Sequence, residues 1–473
     1  MDIVGRKTEL KDFERFYASG KPEFIAVYGR RRVGKTYLIN SLYDGQYAFA
    51  TTGIIDGNKK EELAVFYSSL KQYGFTGKRP LTWMDAFNAL TELLEKKKVP
   101  GKRMIIFIDE LPCLATPKSG LVKAIDVFWN SWGCRQKELF FIVCGSATSW
   151  IIRNIIDNKG GLHNRITHEK HIHPFNLKET KEFLYSNNIK WPNINILQAY
   201  MILGGIPYYL GMLNKDKSLT DNIDDLFFST DKPLAKEYGR LYKSIFNQPE
   251  NYKAVIKALS QSKQGYTRQE LAEKTKVENN GHFSKILEDL INCDFLRKYN
   301  TIGKKIRQRG ALYQLVDFYS IFYHSFVTKT VNDEHYWAHT LNTPLQNNWY
   351  GYAFERVAMS HTKEILQALG IDRILTEYSA WRSSDKTSKG AQIDLVISRA
   401  DNMINLCESK YSASKYTISK VEAEKITHRM EQFRTETGTQ KGLYTTLITT
   451  HGLVDNTWHD TVNSVVTLED LLR

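Results

Sequence analysis

Two short runs of this chain have residue types and spacing that could do phosphate chemistry. The first is Gly29-Arg30-Arg31-Arg32-Val33-Gly34-Lys35-Thr36-Tyr37, which follows the apolar stretch Phe24–Tyr28. Strand, G-x-x-x-x-G-K-[ST], helix is the phosphate-binding P-loop. Its glycines let the chain turn tightly, so consecutive backbone N–H groups face a β-phosphate, and the following helix adds its positive end. Lys35 then reaches the β- and γ-phosphates, and the Thr36 hydroxyl binds Mg2+. The second run is Asp109-Glu110, closing the apolar stretch Met104–Ile108 about seventy residues beyond Lys35. A carboxylate at that place holds Mg2+ through water, and one just beyond it polarises the attacking water, as in a Walker B element. ATP and Mg2+ are the expected ligands.

A third set lies in the last third of the chain. Asp394 falls in the strand-like run 392–397, and Glu408 and Lys410 in the run 404–410. Residues i and i+2 of a strand face the same side, so Glu408 and Lys410 converge, and a neighbouring strand can bring Asp394 to them. Two carboxylates suit a hard divalent cation, and an ammonium steadies phosphate charge, which is the chemistry of phosphodiester hydrolysis. An ion pair on a sheet is the plainer alternative.

These residues need a scaffold, and the hydrophobic pattern supplies one. Apolar runs at 24–28, 104–108 and 139–144 read as buried parallel strands, with 46–50 a further strand and 59–74 and 82–98 as helices. A helix is expected from Thr8, and another carries Trp129 and Trp132. Residues 176–245 read as helices. From 251 to 315 come three helices and a hairpin, Phe295–Tyr299 with Gly310–Leu315, whose tip carries Lys304, Lys305, Arg307 and Arg309. That order suits a winged helix-turn-helix, with Ser284 and Lys285 exposed for DNA and the basic tip on phosphate. A helix over 349–369 carries Glu355, followed by strands at 376–381, 392–397, 404–410 and 442–448 and a helix over 417–437.

Composition narrows the classes. The 473 residues carry a formal net charge of +13, which favours polyanionic partners, nucleic acid before membrane. No apolar run approaches the roughly 18 residues that span a bilayer, and Met1-Asp2-Ile3 lacks the basic start of a signal peptide, so a cytoplasmic protein is expected. Five scattered cysteines without a C-x-x-C pair read as reduced thiols. His168-Glu169-Lys170-His171 is not H-E-x-x-H and alternates as a strand does, so no zinc site is expected there.

The segment Ile3-Val4-Gly5-Arg6-Lys7-Thr8-Glu9-Leu10, placed just before a P-loop, resembles the entry box of AAA+ and STAND nucleotide-binding proteins. The resemblance implies that Val4, Gly5 and Arg6 lie beside the adenine and ribose. It also makes Ser146 the sensor-one residue, where AAA+ proteins mostly carry Asn. The run Gly145-Ser146 to Trp150, with Arg165 ahead of Pro174-Phe175, is similar to archaeal-type ATPases, implying an arginine near the γ-phosphate. Gly204-Gly205-Ile206-Pro207 resembles the G-x-P motif of STAND proteins, in which the proline caps the adenine pocket. Asp394, thirteen residues, Glu408-Ser409-Lys410, after the helical Glu355, resembles the PD-(D/E)xK restriction-like nuclease fold, without its proline. Together they imply an α/β chain: a P-loop NTPase core with a parallel sheet over 1–175, a helical lid over 176–245, a winged helix-turn-helix over 246–330 and a C-terminal α/β restriction-endonuclease-like domain over 331–473. The expected partners are nucleotide and DNA, with a second copy or another protein left open and no membrane. An idle nuclease-like domain on a regulatory ATP-dependent DNA- or protein-binding chain is the alternative to an active one.

Overall fold

The computed structural model describes residues 3–246, 248–300, 302, 311–329, 332–383 and 391–473. The chain divides into two compact units. The first comprises residues 1–174, 241–248 and 292–294, and the second the remainder.

The first unit is built on five strands, β1 Glu23–Tyr28, β2 Tyr47–Thr52, β3 Met104–Asp109, β4 Leu139–Gly145 and β5 His168–His171. They lie in the order β2-β3-β4-β1-β5, all parallel. Every residue of β3 and β4 is buried. That explains their near-continuous apolar runs, since a parallel sheet is covered by helices on both faces. One face packs Phe24, Phe49, Phe141 and Ile106 against Phe66, Trp83, Phe87 and Trp129 of the flanking helices. Asn58 with Glu61, and Thr82 with Asp85, form capping boxes that start two of these helices, Lys59–Gln72 and Trp83–Lys97. Tyr28 of β1 pairs with Gly145 of β4, and β3 lies on the other side of β4. Gly29, Glu110 and Ser146 therefore leave the sheet along one carboxyl edge, where open α/β sheets bind ligands.

Local corrections to the expected elements have local causes. The first helix starts at Lys7, a residue before Thr8, because Arg6 turns the chain in left-handed conformation (φ 55°). Trp132 lies just past the helix Leu121–Ser131.

The second unit opens with helices between Leu177 and Phe227. Helices Glu250–Ser260, Arg268–Thr275 and Gly281–Asn292 follow, with β6 Tyr266–Thr267, β7 Leu296–Tyr299 and β8 Leu312–Leu315 in an antiparallel sheet of order β6-β8-β7. Phe283, Ile286, Leu287 and Leu290 are buried, whereas Ser284 and Lys285 are exposed. Lys304, Lys305, Arg307, Arg309 and Gly310 lie outside the described residues.

A second five-stranded sheet closes the chain: β9 Thr376–Arg382, β10 Gln392–Arg399, β11 Met403–Lys410, β12 Gly442–Thr449 and β13 Ser464–Thr467, in sequential order. It is mixed, with β9-β10-β11 antiparallel and β11-β12-β13 parallel. The helix Lys420–Thr437 is the crossover that parallel neighbours β11 and β12 require. The helix expected over 349–369 is two, Pro344–Ser360 and Thr362–Ala368. It breaks at His361 (φ −115°), whose Nδ1 bonds the Val357 carbonyl at 2.8 Å and whose Nε2 accepts from the Leu177 N–H at 3.1 Å.

Candidate functional site

The loop from Gly29 to Thr36 joins β1 to the helix Lys35–Tyr43. Gly29 has φ 146°, and a Cβ there would stand 2.2 Å from the Ile172 carbonyl oxygen, so only glycine fits. Gly34 caps the helix in left-handed conformation (φ 89°), and Arg32 is left-handed too (φ 76°). Arg30 and Val33 are buried, Arg31 is half-buried and Tyr37 is exposed. Lys35 is buried, and its Nζ donates to the carbonyls of Gly29 (2.9 Å) and Arg30 (3.0 Å) and to Ser146 Oγ (3.0 Å). An ammonium curled onto its own loop is placed where phosphate oxygens replace carbonyls as acceptors.

Thr36 Oγ1 donates to Asp109 Oδ2 at 2.8 Å. Burial pushes the Asp109 carboxyl above its ordinary range; the Thr36 hydroxyl opposes the rise and the neighbouring Glu110 charge adds to it. A cation at this point relieves that penalty, and a hydroxyl beside a carboxylate is an all-oxygen donor pair of the kind Mg2+ takes. The residues present thus fit both a triphosphate and Mg2+. Glu110 has left-handed φ (46°), a strained setting for a non-glycine residue. Its carboxylate accepts from the Ser146 N–H (3.0 Å) and hydroxyl (2.5 Å). A chain Lys35–Ser146–Glu110 results, so Ser146 holds the carboxylate as well as facing the lysine.

Of the residues expected by resemblance, Arg6 is brought to the loop: it is buried, and its Nη2 donates to the Val33 carbonyl at 3.0 Å. Gly5 (φ 70°) and Val4 precede it. Arg165 is exposed in the turn before β5. Pro207 opens the short helix Pro207–Leu210 of the second unit.

The second unit gathers its own acidic group. Leu395 of β10 pairs with Cys407 of β11, so Asp394 and Glu408, each one step on, stand on adjacent strands. Against β9, the β10 register shifts between Ile393 and Val396, the interval that contains Asp394. Burial raises the carboxyl of Asp394, against the nearby Arg356, Arg429, Arg297 and Lys263. Burial, then the Asp394 charge, pushes Glu355 up to about 7. Gln392 donates to Asp394 Oδ1. Lys410 Nζ lies 3.1 Å from Glu408 and 3.3 Å from Glu422. Arg429, on the crossover helix, pairs with the other Glu408 oxygen. The sequence gives Arg429 no distinguishing mark among Lys420, Lys425 and His428 of the same helix. Among the described residues, Glu355, Asp394 and Glu408 do not bring their oxygens together as a metal-holding trio.

His168 and His171 stand at opposite ends of β5. His168 stacks on Phe16 and lies 3.3 Å from Glu23. All five cysteines are free thiols, and among the described residues no helix is long and apolar enough to cross a membrane.

Residues 3–213 match the family described as an ATPase domain predominantly from Archaea. An uncharacterized protein of Methanocaldococcus jannaschii is 23% identical over 401 residues, 83% of this chain and 84% of that protein. An uncharacterized ATP-binding protein of the same organism is 29% identical over 143 residues, 30% of this chain and 38% of that protein. A Walker-type ATPase of Pyrococcus abyssi is similar in structure with a TM-score of 0.48 and 18% identity, over 68% of this chain and 96% of that one. The P-loop, the Thr36–Asp109 pair and Glu110 on the edge of a parallel sheet agree with the match of residues 3–213 to an archaeal-type ATPase domain.

Proposed function

We propose that the chain is an ATP-hydrolysing switch whose state governs a Mg2+-dependent, DNA-directed nuclease-like region. What carries the first half is the chain Lys35–Ser146–Glu110 beside the Thr36–Asp109 pair. Lys35 exchanges the Gly29 and Arg30 carbonyls for phosphate oxygens. Mg2+, held by Thr36 and Asp109, supplies neutralisation of phosphate charge when bound. Glu110 accepts the proton of the attacking water once it leaves Ser146. Val4, Gly5, Arg6, Pro207 and Arg165 keep their roles as proposals at the base and the γ-phosphate. Equilibrium dialysis of the Lys35→Ala variant tests this half: affinity for ATP should fall, and undiminished affinity would remove Lys35 from the phosphate site.

The second half rests on the register shift that spans Asp394, the nearness of Glu355 and the Glu408–Lys410 pair on the next strand. On this reading residues 176–245 are a lid, 246–330 a winged helix-turn-helix reading DNA through Ser284 and Lys285, and 331–473 the nuclease-like domain. Asp394 and Glu408 hold Mg2+, and Lys410 steadies the phosphate. A second reading, a regulatory ATP-dependent DNA- or protein-binding chain with an idle C-terminal domain, is favoured by Arg429 and Lys410 both occupying Glu408. Metal-dependent nicking of plasmid DNA separates the two. Loss of nicking in Asp394→Ala with ATP turnover retained supports the nuclease. Wild type that never nicks in any nucleotide state supports the idle domain.

A further inference from the structure

We propose that His171, His173 and Asp294, all of the first unit, form a binding site for a divalent transition ion of the zinc, cobalt or nickel kind. Among the described residues their ligand atoms are the trio lying within 4.8 Å of one another.

The placement follows from the backbone. β5 ends at His171, but Ile172 N–H still donates to the Tyr28 carbonyl at 2.7 Å, so the chain stays extended alongside β1. His171 and His173 then face one side, with ring centroids 3.8 Å apart. Asp294, in left-handed conformation (φ 57°), meets them just after the helix Gly281–Asn292. Its two oxygens lie 3.0 and 3.1 Å from His173 Nδ1, and Oδ2 lies 3.0 Å from His171 Nε2.

A proton shared within an ion pair accounts fully for the His173 contact and only in part for that of His171. Its Nε2 is buried and lies 3.0 Å from Asp294 Oδ2, a charge contact that falls short of full hydrogen-bond geometry. Buried polar atoms of this kind are rare and costly. An ion bonded to Nε2 satisfies it. Zinc bonds of about 2.0–2.1 Å in a tetrahedron set ligand atoms about 3.3 Å apart, close to the separations seen. Two imidazoles and one carboxylate select borderline transition ions over Mg2+, and three protein ligands leave a position for water. The His173 side chain, 57% exposed, gives the ion a way in.

The site also borders the P-loop root. Ile172, between the two histidines, sets its carbonyl against Gly29, leaving no room for a Cβ. Occupancy fixes the strand end on which the first P-loop residue rests.

The test titrates the full chain, stripped with chelator and without nucleotide, with Co2+, reading the visible bands of four-coordinate cobalt, and then with Zn2+ by calorimetry. One equivalent should bind. His173→Asn, at an exposed position that spares the fold, should weaken binding at least tenfold, since even partners behind metal ligands matter by about 10–100-fold. His171→Ala should do the same, and His163→Ala, at an exposed histidine outside the trio, should leave the bands unchanged. Absence of four-coordinate bands in wild type, or equal affinity in His173→Asn and Asp294→Asn, would overturn the site and leave a proton-bridged His–Asp–His cluster.

Discussion

Both units set an aspartate on a strand, a second carboxylate near it and a lysine in reach, yet they neutralise these charges differently. In the first unit the partners are neutral: Lys35 rests on carbonyls and a serine hydroxyl, Asp109 on a threonine hydroxyl, Glu110 on Ser146. In the second, Glu408 faces Arg429 and Lys410, and Asp394 sits within the field of Arg356 and Arg297. Neutral partners of a charged group yield to phosphate or metal at about 1.5–3 kcal/mol per hydrogen bond, whereas a partly buried ion pair must also be broken against its own attraction. The first unit's charged groups are therefore held by partners that exchange readily, whereas on the proposed nuclease reading the second unit's pairs would have to part before a metal could bind.

The sharpest way to break the comparison is Glu110→Gln. The amide keeps the shape but cannot take a proton, so ATP turnover measured by phosphate release should fall by about 10²–10⁴-fold, the range of general acid–base contributions. ATP affinity by equilibrium dialysis should hold within a few-fold. A parallel loss of both would show that Glu110 shapes the site instead of acting on water. Lys35→Ala follows, with a loss of turnover on the order of 10²–10³-fold through lost stabilisation of transition-state charge.

Arg429→Met addresses the second unit. With its guanidinium gone, Glu408 keeps only Lys410, and Mn2+ used as a probe should bind more tightly, by about tenfold, the weight of roughly one pKa unit of electrostatic interaction. Electron paramagnetic resonance of free Mn2+ reads this directly, with Asp394→Ala,Arg429→Met as the control that should lose the gain. Unchanged affinity would mean that Arg429 does not guard the carboxylate.

The asymmetry also decides what was legible in the sequence. The P-loop and Asp109-Glu110 are contiguous motifs on buried parallel strands, and such strands announce themselves as apolar runs, so β1, β3 and β4 fall where expected. The strands that carry Asp394, Glu408 and Lys410 fall where period-two alternation places them. Arg429 was not, since which basic residue of a mixed-charge helix turns inward depends on how that helix docks on β12 and its neighbours. The break at His361 hangs on a hydrogen bond from Leu177, 184 residues away, which no local pattern encodes. The same holds for Asp294, whose left-handed turn carries it to two histidines at and just past the end of a distant strand.

The smallest expected effect concerns the P-loop's root and separates scaffold from chemistry. Gly29→Ala places a methyl group 2.2 Å from the Ile172 carbonyl oxygen, a backbone atom that cannot swing aside, at a φ of 146° that side-chain-bearing residues avoid. The strain should cost roughly 1–3 kcal/mol, visible as a lower midpoint of chemical denaturation. Because Lys35 bonds the Gly29 carbonyl, ATP affinity should fall with it. Ile172→Gly removes a side chain but leaves the offending carbonyl in place, so it should not rescue Gly29→Ala. Rescue would locate the clash in the side chain and show that β5 gives way, whereas failure to rescue keeps the close approach of the two backbones as what fixes the loop.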